Sequence, residues 1–136
     1  MGKREQREQV FALLFRVEFN SPQDMPEQVK LFLENSEQLM NDKDADYITG
    51  RYEAITARME ELDQVIDERM EGWDVTRIGK VELTILRIGV YEILYDEDVP
   101  NSVAINEAVE LAKKYGQESS GSFVNAILAK FVKQGE

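Results

Sequence analysis

The chain has 136 residues, 43% of them hydrophobic and 32% charged, which suits a single domain able to bury its own core and is too apolar for global disorder. With no cysteine and no histidine it has neither a disulfide framework nor the usual neutral-pH proton carrier, so catalysis would rest on carboxylates, lysines or tyrosines. The net charge of -11 argues against a generic nucleic-acid binder, which is usually basic, and confines any such contact to a local patch.

The chain opens with Lys3, Arg4, Glu5 and Arg7 rather than an apolar signal core. No run approaches the roughly 18 apolar residues that span a bilayer. A cytoplasmic protein with no membrane partner is expected. Residues 1–16 hold four basic side chains against Glu5 and Glu8, a surplus of two positive charges, which leaves -13 on the remainder. Val10, Leu13, Leu14 and Val17 fall at i, i+3, i+4 and i+7, predicting a helix to about Phe19, which Asn20, Ser21 and Pro22 end.

A second helix is predicted from near Pro26, turning Val29, Phe32, Leu33 and Leu39 inward. Asn41, Asp42, Lys43 and Asp44 read as a loop. From about 45 to 71, Ile48, Tyr52, Ile55, Met59, Leu62 and Ile66 recur at three- and four-residue steps, predicting one long amphipathic helix. Its later turns carry Glu60, Glu61, Asp63, Asp67, Glu68 and Glu71. Scattered carboxylates with no ligand loop read as a solvated face rather than a cation site. Gly72, Trp73 and Asp74 mark the junction between an N-terminal half, about 1–72, and a C-terminal half, about 73–136, of one domain.

Val81, Leu83, Ile85, Leu86, Ile88, Val90, Ile93 and Leu94 then cover nearly every side of a helix, the mark of central burial. The alternation at Val81, Leu83 and Ile85 also fits a strand, but the apolar pattern outlasts strand length. After a break at 96–100, Asn101 or Ser102 is placed to cap a helix running to Tyr115, where Gly116 suits its end. Ser119 or Ser120 is placed to cap the last helix, whose Val124, Ile127, Leu128 and Phe131 again show helical spacing. The fold class expected is all-α.

Three features invite a functional reading. Lys3 and Arg7 share a helix face with Arg4 about 100° round from Lys3, so three cations can grip one phosphate backbone, with Phe11 or Phe15 close in angle to Arg4. The plain alternative is a solvated helix end above two core rings. Tyr115 can stack on a base or sit half-buried. Asn106, Glu107 and Asn125 lack a nucleophile, and helix-to-helix hydrogen bonding is the reading taken for them. Glu110 and Lys114 form an i, i+4 pair.

The text Val103-Ala104-Ile105-Asn106-Glu107-Ala108-Val109-Glu110-Leu111-Ala112-Lys113-Lys114-Tyr115, with Phe123-Val124-Asn125-Ala126-Ile127-Leu128 after it, resembles the signature of the NusB family. Lys3-Arg4-Glu5-Gln6-Arg7-Glu8-Gln9-Val10-Phe11-Ala12-Leu13-Leu14-Phe15 is similar to the basic first helix of those bacterial transcription antitermination factors. The resemblance implies two small helical bundles packed as one domain, and no enzyme and no cofactor. It implies a non-catalytic adapter that binds boxA single-stranded RNA of ribosomal-RNA leader transcripts together with NusE, a small-subunit ribosomal protein, in an antitermination complex with RNA polymerase.

On the same resemblance, RNA contact is expected at Lys3, Arg4, Arg7 and Phe15, and in the loop 115–123 at Tyr115, Ser119 and Ser120. Partner contact is expected along about 80–94, at Glu82 and, set against internal pairing, at Arg87. Ala12 stands where the family pattern has glutamine, and Ser122 where many members have lysine. With the acidic charge, those two departures support an alternative, a helical protein-interaction module with weak or lost RNA binding. NusB relatives differ in oligomeric state, so a homodimer is compatible. A NusB-like domain also precedes the catalytic part of some ribosomal-RNA methyltransferases, but a chain ending at Glu136 without a cofactor-binding glycine motif is not expected to be that enzyme.

Overall fold

The structure, a computed structural model, describes residues 1–36, 40–72 and 75–132. Among the described residues it has seven α-helices and no strand, as the apolar spacing predicts: α1 (Lys3–Phe15), α2 (Met25–Asn35), α3 (Asp42–Thr56), α4 (Met59–Glu68), α5 (Lys80–Tyr95), α6 (Asn101–Tyr115) and α7 (Ser120–Ala129). Short 3-10 turns occupy Arg16–Phe19 and Val75–Arg77. No helix among the described residues is long and apolar enough to cross a membrane. The chain divides into two compact units, Met1–Ala57 and Arg58–Glu136. The division thus follows Ala57 rather than the Gly72-Trp73-Asp74 segment. Trp73 and Asp74, with Leu39, lie outside the described residues.

In the first unit α1 packs against α3, burying Val10, Phe11, Leu13 and Leu14 on one side and Ile48, Tyr52 and Ile55 on the other. The i, i+3, i+4 pattern of α1 therefore marks a real packing face, although Val17 is only half-buried within the 3-10 turn. The α2 helix buries Met25 and Phe32 and leaves Val29 and Leu33 half-buried. Arg16 ties it to the end of α1: its Nη1 donates to the Gln28 carbonyl at 3.1 Å and to Gln28 Oε1 at 3.2 Å. The Arg16 guanidinium also lies 5.4 Å from the Phe32 ring centroid, a cation–π contact.

Two sequence expectations need correction here. Asn41 and the residues after it are a helix start, not a loop: Asn41 Oδ1 accepts the Asp44 backbone N–H at 2.9 Å, a side-chain N-cap. The long helix expected over about 45–71 is broken into α3 and α4 at Ala57 and Arg58. The Thr56 hydroxyl bonds back to the carbonyls of Tyr52 and Glu53 as α3 ends, an arrangement that bends and weakens helices. The apolar spacing carries on across the break from Ile55 to Met59 to Leu62, so the pattern alone does not reveal it.

In the second unit α5 is the central element, packed against α4, α6 and α7. Every residue over 83–90 is buried, including Thr84, Arg87 and Gly89. Gly89 is required for space: a Cβ there would lie 2.8 Å from Leu128 Cδ1 of α7 and 3.5 Å from Ala108 Cβ of α6. Gly72, at φ 77°, adopts the left-handed conformation that favours glycine after α4. Arg87, only 6% exposed, forms a two-pronged pair with Asp63 of α4, Nε to Oδ1 at 2.7 Å and Nη2 to Oδ2 at 2.8 Å.

Removing one partner from such a pair leaves a buried charge without its counter-charge. Asp63→Ala is expected to destabilise the protein by about 3 kcal/mol, read as a lower urea midpoint at unchanged slope. The double variant Asp63→Ala/Arg87→Met should recover most of that loss. A single variant as stable as the native protein would show that the pair does not hold α4 to α5.

Candidate nucleic-acid interface

On α1, Lys3 and Arg4 are exposed and Arg7 is half-buried. Gln6, one turn on from Lys3, joins this helix to α3. Gln6 Nε2 donates to Asp44 Oδ1 at 3.0 Å, and the amino group of Met1 stands 3.6 Å from Asp44 Oδ2. Asp44 itself is 6% exposed and is held in the first turn of α3 by the Asn41 cap. The Gln6 hydrogen bond, with smaller help from the Met1 amino group and the Asn41 backbone N–H, holds the Asp44 carboxyl below its usual range against the opposing effect of burial. This link joins the first turns of α1 to α3, while the buried face of Val10, Phe11, Leu13 and Leu14 sets how α1 is turned and so which way its cations face.

Phe15 is half-buried in a row of rings. It stacks on buried Phe11 at 5.5 Å between centroids and 17° between planes, and meets Phe19 edge-on at 5.0 Å and 81°. Arg16, the fourth cation of this stretch, belongs to the packing of α2 rather than to a binding surface.

In the second unit Tyr115 ends α6 and is 40% exposed, with Lys114 Nζ 5.4 Å from its ring centroid. The following Gly116 is needed for space rather than for a left-handed turn. At φ -99° its backbone suits any residue, but a Cβ would lie 2.6 Å from Ser120 Oγ and 2.8 Å from the Ala112 carbonyl. Ser119 is exposed and occupies the N-cap of α7 without a side-chain cap bond. Ser120 is 3% exposed; its Oγ accepts the Gln117 N–H at 2.9 Å and donates to Glu82 Oε1 at 2.6 Å. Pro100, not Asn101 or Ser102, holds the N-cap of α6.

Residues assigned by sequence to separate surfaces therefore meet. Glu82, Ser119 and Ser120 line one cavity of about 640 Å³, together with Arg77, Ser122 and Phe123. Two of the expected contact residues are turned inward: Ser120 is 3% exposed with its hydroxyl on Glu82, and Arg87 is 6% exposed and paired with Asp63. Asn106 and Asn125 are exposed rather than bonded between helices, and Glu110 pairs with Lys113 at 3.5 Å instead of Lys114. Sequence reading missed the Gln6–Asp44 link and Arg77. The Asn41 cap, three residues before Asp44, was the available signal for the first.

The NusB family model matches residues 4–133. The chain is similar to the transcription antitermination protein NusB of Agathobacter rectalis, with 50% identity over 92% of this chain and 95% of that one. Its fold is similar to that of T. maritima NusB, with a TM-score of 0.88 and 32% identity over 98% of this chain and 92% of that one. It is also similar to a chain in a crystal structure of the antitermination factors NusB and NusE in complex with dsRNA. There the TM-score is 0.82 at 26% identity, over 95% of this chain and 94% of that one.

Two measurements probe this geometry. Because the native Asp44 carboxyl is held below its ordinary value of 3.8, its ionised form stabilises the fold above that value and the contribution disappears as pH falls through the native one. Asp44→Asn should therefore be less stable than the native protein at neutral pH, with the gap closing on acidification below 3.8; a gap independent of pH would contradict the assignment. Ser120→Ala, which takes a partner from Glu82 and from the Gln117 N–H, should cost about 1–2 kcal/mol in denaturant unfolding.

Proposed function

This chain belongs to the NusB family, and from that premise we propose that it binds boxA single-stranded RNA of ribosomal-RNA leader transcripts jointly with NusE. It is an antitermination factor and not an enzyme. The proposed complex acts as an adapter to RNA polymerase in the cytoplasm. The observation that carries the RNA reading is the exposure of Lys3 and Arg4 on a helix joined to α3 by the Gln6–Asp44 link, in a chain otherwise strongly acidic. The similar NusB chain solved with NusE and dsRNA supports both partners.

Lys3, Arg4 and Arg7 serve as phosphate contacts and Phe15 as a base contact. Tyr115 and Ser119, at the α6–α7 turn, supply further RNA contacts, and Glu82 faces the protein partner with its carboxylate pre-set by Ser120. Each partner binds modestly alone and more tightly when the other is present, a coupling equal in both directions.

Fluorescence anisotropy of a labelled boxA RNA, titrated with and without NusE, tests this. About three phosphate contacts give a slope near -2 in log affinity against log salt, and the Lys3/Arg4/Arg7 triple-alanine variant should flatten most of that slope. Binding that tightens with NusE and prefers boxA over a scrambled RNA is expected. Indifference to RNA sequence even with NusE bound would leave a protein-interaction module as the function.

A further inference from the structure

Phe19 is 60% exposed, the highest exposure among the large hydrophobic residues described. It is nevertheless not loose. It closes the 3-10 turn Arg16–Phe19, whose end is fastened by Asn20 Nδ2 donating to the Arg16 carbonyl at 2.8 Å. Its ring stands edge-on against Phe15, which is itself stacked on the buried Phe11. Arg16, at the start of the same turn, is committed to Gln28 and Phe32.

The place of this ring along α1 points to its ligand. Arg4 and Phe15 are eleven positions apart, which on an α-helix brings them within about 20° of the same edge, about 16 Å apart along the axis. Cations thus begin the edge and rings finish it. Glu8 interrupts the cations and Ala12 presents only a methyl group, so the phosphate-attracting part of the edge is confined to its start. A strand of nucleic acid held there by its phosphates would reach Phe15 and Phe19 with its bases. Aromatic faces accept any base, and a ring already fixed by its neighbours loses little freedom on binding.

Resting on the RNA reading above, we propose that Phe19 is a base-stacking residue, extending the RNA surface of α1 beyond Phe15 by one more base. Its contribution is tolerant of base identity, because a ring face carries no hydrogen-bonding pattern.

The test uses the full chain with boxA RNA in which single bases are replaced by 2-aminopurine. Bound to the native protein or to Phe19→Trp, one position is expected to show stacking-induced quenching that Phe19→Ala relieves. Phe19→Ala and Phe19→Leu should bind about 5- to 10-fold more weakly, Phe19→Trp should bind as the native protein does, and the salt slope should stay unchanged in all three. Because the ring is exposed, circular dichroism melting should show the variants folded. If the Lys3/Arg4/Arg7 triple-alanine variant loses RNA affinity while Phe19→Ala and Phe19→Leu do not, Phe19 is no RNA contact and the RNA reading stands. If all of them bind RNA alike, the RNA reading fails and this inference with it. Loss of NusE affinity alone in Phe19→Ala would make the ring a protein contact and overturn the proposal.

Discussion

Burial of α5 on every side is the constraint that organises the second unit. A helix with no solvent face over 83–90 needs neighbours all round, and α4, α6 and α7 supply them. Two features of its sequence make sense only in that light. Gly89 lets α6 and α7 approach within contact of the α5 backbone, and Arg87 requires a carboxylate from α4 because a charge at 6% exposure cannot rely on water. Glu82 lies at the less buried beginning of the same helix, and its carboxylate reaches Ser120 at the start of α7. The packing of α5 thereby determines where the α6–α7 turn stands, and with it Tyr115 and Ser119.

An acidic protein that binds RNA is no contradiction once charge is considered locally. Exposed charges farther apart than about 8 Å are largely screened at physiological ionic strength, so a phosphate near Lys3 and Arg4 responds mainly to the first turns of α1. What matters there is the nearest carboxylate. Asp44 is close to this helix, but it is buried and engaged with Gln6 and the Met1 amino group, which limits the field it sends toward the surface. Glu5 and Glu8 lie on α1 itself and lower its local surplus to two positive charges, whereas exposed Glu60, Glu61, Asp67, Glu68 and Glu71 belong to the second unit.

Much of the fold could be read from periodicity, because periodicity records which side of an element is buried. The face of α1, the all-round apolar character of α5 and the spacing in α7 each appear in the structure as the residues suggest. Events at helix ends were harder to read. The break after α3 leaves the apolar phase unchanged and coincides with bonds from the Thr56 hydroxyl to the Tyr52 and Glu53 carbonyls, which no hydrophobic pattern encodes. The polar run at Asn41 looks like a loop because cap residues and loop residues are the same residue types. Side-chain pairing was the least legible level. Arg87, a charge inside an apolar helix, signals an internal pair without naming Asp63 as its partner, whereas Ser120 looks like a surface residue because its partner Glu82 lies far along the chain.

The same distinction bears on which cations are available to a ligand. Basic residues are few in this chain, and the fold commits several of them to internal roles: Arg16 to α2, Arg87 to Asp63, and Lys130 to the Arg69 carbonyl at 2.9 Å. A residue committed in this way cannot also neutralise a phosphate without giving up a native contact, and the loss of that contact would offset the gain. Lys3 and Arg4 stand exposed in the first turn of a helix that Gln6 joins to α3. The division of labour on α1 is therefore structural: a neutral side chain makes the link to α3, and the cations Lys3 and Arg4 stay exposed beside it.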